Sequence, residues 1–234
     1  MLACSLRLPA LATAIALLSA CVEPVPPQSA PQGQEVTRGG ISVADFAEVV
    51  ARMEPVAEAE CRARAPQARC DYKIQVDRRT SQPANAYQSV NDDGDPTITF
   101  TIALIADLAN RDELAFVMGH EAAHHIAGHL ERTQSTAVMG GVLGGLLGVA
   151  LGGDATAIDT LQNVGATVGA RTYSKAYELE ADQLGTIITA KAGFNPVRGA
   201  QFFERLPDPG DQFLGSHPPN AQRIETVKRT MAQL

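Results

Sequence analysis

Hydrophobic and polar positions change period several times along the chain, and each change predicts an element. Phe46, Val49, Val50 and Met53 recur at helical spacing behind Ser42, with Asp45 three residues after it. That arrangement approximates a capping box opening a helix, which Pro55 is expected to kink or end. Tyr72-Lys73-Ile74-Gln75-Val76 alternates, the mark of a half-buried strand. Ala86 to Val90 is a weaker strand candidate, and Asn91 to Pro96 is a turn. Thr97 to Thr101 (TITFT) is β-branched or aromatic throughout and reads as the next strand. From Ile102 the pattern turns helical, and Asn110 with Glu113 caps a long apolar-periodic helix ending near Thr133. A helix around Ala176 to Ala192 stops at Gly193 and Pro196. Leu206 to Pro219 is a Pro- and Gly-rich loop, and a closing helix begins near Asn220.

One segment fits neither period. Met139 to Gly153 (MGGVLGGLLGVALGG) is apolar but broken by glycines. It is too short for the roughly twenty helical residues a bilayer span needs. The expectation is a flexible or tightly packed connector, with a mobile flap or a membrane-touching hairpin as the other readings.

The N-terminus has a different character. In Met1 to Ala20 the one charge is Arg7, followed by an apolar run from Leu8 to Leu18. These are the proportions of a secretory leader. Its end, Leu18-Ser19-Ala20-Cys21, resembles the lipobox of bacterial lipoprotein signals, which implies acylation of Cys21; an ordinary signal peptide is the alternative. Val22 rather than Asp after that Cys resembles outer-membrane sorting. Residues 22–40 carry Pro24, Pro26, Pro27 and Pro31 and no apolar period, so they read as a tether. The expected organisation is a leader over 1–20, an acylated Cys21 with its tether over 21–40, and one domain over 41–234.

Composition narrows the class. The 234 residues are 45% hydrophobic, enough for a real core. Acidic residues outnumber basic ones 26 to 19, and loss of Arg7 with the leader takes the net charge from −7 to −8. An acidic chain with 5% aromatics and no Trp is a poor candidate for binding nucleic acid. Of four cysteines, Cys4 leaves with the leader and Cys21 takes lipid. Cys61 and Cys70 remain, and in an exported chain they read best as a disulfide. Zinc thiolates would want closer spacing.

The chemistry lies on the helix after Asn110. His120-Glu121-Ala122-Ala123-His124 is an H-E-x-x-H motif. Two imidazoles one helical turn apart can chelate one ion, while Glu121 reaches a water beside it. Chance yields such a motif in on the order of one chain in a hundred of this size, so the motif alone is suggestive. On a continuous helix His125 and His129 point away from His120, and they are expected to be surface or packing residues. A third ligand must come from His217 or a carboxylate. Glu178 and Asp182, four apart on one helical face, can supply one metal ligand and one support for a ligand.

H-E-x-x-H followed by Tyr173-Ser174-x-x-x-Glu178-x-Glu180-Ala181-Asp182 resembles the HtpX-like and CAAX-prenyl-protease zinc metallopeptidases of the gluzincin group, and most closely their soluble periplasmic lipoprotein members. The likeness runs from about Asp71 to Leu234. It takes in Asn85-Ala86-Tyr87, Asp112-Glu113-Leu114-Ala115 and Ser216-His217-Pro218-Pro219 with Arg223. It implies an α+β fold, mostly helical, with a small sheet beside the zinc helix. It further implies one Zn²⁺ held by His120, His124 and Glu178, Glu121 as general base, Asp182 orienting a ligand, and His217 and Arg223 at the active site. His125 stands where the pattern usually has an apolar residue, and no multi-span membrane segment is seen.

The expected activity is endopeptidase cleavage of misfolded or unassembled envelope proteins at the periplasmic face of the outer membrane. Thr97–Thr101 is expected to be the sheet edge that receives an extended substrate. His217 either stabilises the oxyanion or occupies the open metal position. The rival reading is a chaperone-like or assembly lipoprotein with structural zinc and little proteolysis, with an envelope-assembly partner.

Overall fold

Twelve elements follow one another in the computed structural model, which describes residues 40–172, 174–210 and 217–234. The leader, Cys21 and its tether, Tyr173 and Ser216 lie outside the described residues. The first helix, α1 (Val43–Arg64), opens as expected: the Ser42 side chain accepts from the Asp45 amide and the Asp45 carboxylate accepts from the Ser42 amide. Pro55 does not end it. The amide that Pro55 lacks would have bonded Ala51, which faces solvent, whereas Val49, Met53, Ala57 and Cys61 on the opposite side are buried and anchor the helix on both sides of the proline.

Cys61 near the end of α1 is disulfide-bonded to Cys70. That bond delivers the chain to β1 (Lys73–Asp77), followed by β2 (Ala86–Val90) and β3 (Pro96–Thr101). The sheet order is β1-β3-β2, with β1 parallel and β2 antiparallel to β3. The expectation that Thr97–Thr101 is the edge is therefore wrong. All of β3 is buried, as a central strand requires, and β2 is an edge.

α2 (Ile102–Asp107) leads to α3 (Arg111–Ile126), the helix at the centre of the core. Asn110 caps it by accepting from the amides of Asp112 and Glu113. Glu113 reaches back to the Ala109 amide and receives Arg205 on both carboxylate oxygens, at 2.7 and 2.5 Å. Asp112 takes the Asn195 amide at 2.9 Å and pairs with Arg198. Two buried acids thus complement the α3 N-terminus and pin the later turns against it. At the other end, the buried Tyr72 hydroxyl donates to the Ala122 carbonyl at 3.1 Å.

The helix expected to reach Thr133 stops at Ile126. Gly128 adopts φ 64°, and α4 (His129–Ala150) starts in a new direction. α4 and α5 (Ala155–Thr172) form a helical hairpin, so the glycine-rich segment is a tightly packed element. α6 (Ser174–Lys191) then packs across α3, followed by the short α7 (Pro196–Gly199), α8 (Phe202–Arg205) and the closing α9 (Asn220–Met231). The result is α+β and mostly helical, as expected.

Candidate metal centre and its cleft

α3 and α6 cross where two glycines meet. A Cβ on Gly119 would lie 2.8 Å from the Gly185 carbonyl oxygen, and one on Gly185 would lie 2.8 Å from the His120 amide. Only bare backbone fits there. This approach brings the His120 and His124 edge of α3 onto the Glu178 and Asp182 edge of α6.

The Nε2 atoms of His120 and His124 stand 3.0 Å apart. Glu178 places Oε2 3.5 Å from His120 Nε2 and Oε1 3.3 Å from His124 Nε2. A four-coordinate metal with bonds of about 2.0–2.1 Å separates its ligands by about 3.3 Å, so the three donors fit one small cation. A zinc ion held by two imidazoles and a carboxylate would keep a position open for a reacting water.

Asp182 Oδ1 lies 3.0 Å from His120 Nδ1. An ionised carboxylate only accepts, so Nδ1 carries a proton, and a cation that displaced the Nε2 proton would find that lone pair aimed at it. Asp182 is itself held by Arg223 through Nε (2.8 Å) and Nη2 (2.7 Å). Arg223 is 6% exposed, lies over the Phe203 ring, and reaches Glu178 Oε2 at 3.3 Å. Its position behind the ligands makes it a holding group. His217 Nδ1 is 3.1 Å from Glu178 Oε2, with half of its side chain exposed at the cleft.

Charge at the centre follows from this geometry. Burial opposes ionisation of Glu178, yet hydrogen bonds from His120, His124 and His217 hold it well below the usual carboxylate range. Asp182 is lowered likewise, against burial, by Arg223 and His120. Burial opposes the imidazolium of His120, but Asp182 and then Glu178 lift its pKa to about 10. These carboxylates favour positive charge between them, which suits a cation. Glu121 lines the same cleft, and burial pushes its carboxyl up.

His129 is not a surface residue on the far side. It is 3% exposed, stacks on Tyr177 with ring centroids 4.6 Å apart, and places Nδ1 2.9 Å from His124 Nδ1. Its Nε2 lies 3.1 Å from Glu180 Oε2, and Glu180 is paired with Arg132 at 3.1 Å. The turn at Gly128 re-aims the chain, and a glycine two residues beyond Ile126 was the signal for it. His125 is a packing residue, as expected: its Nε2 donates to the Arg69 carbonyl at 2.7 Å and its ring meets Tyr72 edge-on.

The cleft holds about 570 Å³. One wall is Ala84 to Gln88, the start of edge strand β2. Leu130, Tyr177 and Phe203 add apolar surface opposite. A cleft beside a strand edge, with a metal-type triad and a half-buried glutamate, is shaped for an extended peptide.

Comparison with known proteins agrees with this chemistry. Peptidase family M48 matches residues 44–231. The chain belongs to that family of metallopeptidases. Two relatives are similar over part of the M48 region. One is a Vibrio cholerae protein named beta-barrel assembly-enhancing protease, 35% identical over 108 residues, covering 42% of this chain and 22% of that protein. The other is the mitochondrial metalloendopeptidase OMA1 of Saccharomyces cerevisiae, 31% identical over 132 residues, covering 52% of this chain and 37% of that protein. The matches thus span well under half of these curated relatives. The gluzincin-type resemblance read from the motifs is borne out by the family, which also implies protein substrates.

Proposed function

We propose that this M48 chain is a zinc endopeptidase that cleaves misfolded or unassembled proteins of a bacterial cell envelope. The observation that carries the reading is the convergence of His120, His124 and Glu178, at one metal's spacing, in a cleft that Glu121 shares. Zinc held there would supply Lewis acidity and make a water nucleophilic near neutral pH. Glu121 takes that water's proton and passes it to the leaving amine, a role suited to a carboxyl whose pKa burial has raised. Asp182 keeps the His120 lone pair aimed at the ligand position, and Arg223 keeps Asp182 in place. His217, at the open side, donates to the oxyanion of the tetrahedral intermediate. Substrate lies antiparallel on the outer edge of β2, in place of the β3 edge expected from sequence.

The envelope address rests on the leader, the Cys21 lipobox with Val22 behind it, and the Cys61–Cys70 disulfide. It also draws on the name of the Vibrio cholerae relative, which points to assembly of β-barrel proteins. The test is casein cleavage by the purified protein with metal removed and restored. Loss on chelation and recovery with one zinc per chain supports the reading. Full activity without metal rejects it.

A further inference from the structure

The α4–α5 hairpin is built inside out for a protein in water. Small residues fill its seam: a Cβ on Gly140 would lie 2.1 Å from the Gly165 carbonyl oxygen, and one on Gly144 2.0 Å from that of Leu161. One on Gly169 would lie 2.0 Å from the Thr136 carbonyl oxygen. With the seam closed at backbone contact, the large side chains of α4 have no interior to enter. Met139, Val142, Leu143, Leu146, Leu147 and Leu151 are each more than half exposed, and Met139, Leu143 and Leu147 border an open groove along the seam that Val168 of α5 shares. Such a run of exposed apolar side chains on one helix marks a contact surface.

Three features identify what it contacts. From Thr133 to Gly153 the chain has no charged residue, and α4 meets the length and hydropathy of a membrane helix with 11% of that stretch buried. The exposed face lacks the aromatic and Arg anchors of protein interfaces, whereas Gly-x-x-x-Gly seams with large residues outside are the pattern of helix pairs in lipid. Charge follows the same division. Asp159, Thr160, Asn163 and Thr167 are exposed on the back of α5, away from the seam, and Arg132 and Arg171 flank the hairpin base.

We infer that the outer face of α4 docks into one leaflet of an anionic lipid bilayer. Although α4 itself is longer, its large apolar side chains that are more than half exposed run only from Val138 to Leu151, about 20 Å of helix, short of the roughly 30 Å hydrocarbon core. The hairpin therefore lies along the interface, with α5 towards water and Arg132 and Arg171 at the headgroups. This contact is independent of proteolysis and of acylation at Cys21.

The test compares the full chain carrying Cys21→Ser with the same chain carrying Leu143→Gln, Leu146→Gln and Leu147→Gln. Both are mixed with phosphatidylglycerol–phosphatidylethanolamine vesicles. Binding should weaken about tenfold or more in the triple variant, since interfacial binding scales with buried apolar area. Peptide cleavage should be unchanged. Equal binding of the two chains overturns the inference. So does equal binding accompanied by conversion of a dimer to a monomer, which would assign the face to a second copy. A reporter that spares the fold is Leu146→Trp, the one tryptophan in a chain that has none. Quenching of its fluorescence by brominated lipid is expected, and absence of quenching rejects the leaflet contact.

Discussion

His129 Nδ1 sits 2.9 Å from His124 Nδ1, and its other nitrogen faces the Glu180 carboxylate at 3.1 Å. The protons in this chain have one consistent arrangement. Glu180 can only accept, so His129 Nε2 donates to it; His129 Nδ1 then accepts from His124 Nδ1, which leaves the His124 Nε2 lone pair at the ligand position. Burial keeps His129 neutral, with a pKa lowered to about 4, as this arrangement requires. Asp182 does the same for His120 directly. Each ligand imidazole therefore has its own orienting partner.

Replacing His129 with Phe keeps the ring stacked on Tyr177 and removes the hydrogen bonds. Zinc affinity should fall about 10–100-fold, the usual cost of losing a partner behind a metal-bound histidine. Thermal stability of the metal-free protein should change little. Competition with a chromophoric chelator measures the affinity, and an unchanged constant would show that His129 only packs.

The Gly119–Gly185 crossing sets the distance between the two halves of the centre. Gly185→Ala should push α6 away from α3, costing about 1–3 kcal/mol by overpacking. It should also weaken metal binding, because Glu178 rides on α6. Urea midpoints with and without zinc read both effects. Loss of stability with intact affinity would mean the centre tolerates the shift.

How far the sequence could be read depends on which interaction decides each feature. His120, Glu121 and His124 were readable because helical spacing places them on one edge, whereas Glu178 and Asp182 were one option among several until the resemblance of their motif singled them out. The helix ends at Asn110 and Gly193 were readable because caps are local. His129 was misread because a projection along one helix fails once Gly128 breaks it. β3 was misread as an edge because strand order depends on long-range pairing: its TITFT run alternates as a half-buried strand does, and only pairing with β1 and β2 buries both faces. Pro55 does not end α1, because the solvent-facing carbonyl it leaves unpaired and the packing around it, rather than local propensity, decide its cost.

The α1 cap has a pH signature. Hydrogen bonds from the Ser42 amide and hydroxyl, then Arg111, hold Asp45 at a pKa of about 2, against an ordinary 3.8. A carboxyl lowered on folding adds stability above its unfolded pKa and loses it as pH falls through the folded one. Wild type should therefore exceed Asp45→Asn in melting temperature by a constant margin above about pH 5. The margin should shrink towards zero near pH 2. A margin that does not vary with pH would place the effect of Asp45 outside ionisation.

His217 separates two accounts of the open side. As an oxyanion donor, its loss in His217→Ala should lower kcat about 100-fold with zinc retained. A rise in kcat would instead identify it as a plug on the metal position.

The central claim concerns Glu121, and casein cleavage by Glu121→Gln tests it most directly. The amide keeps the size of the carboxylate but cannot take a proton, so the variant should bind one zinc per chain and lose cleavage by at least about 100-fold. Cleavage at the wild-type rate by a zinc-loaded Glu121→Gln protein would contradict the account.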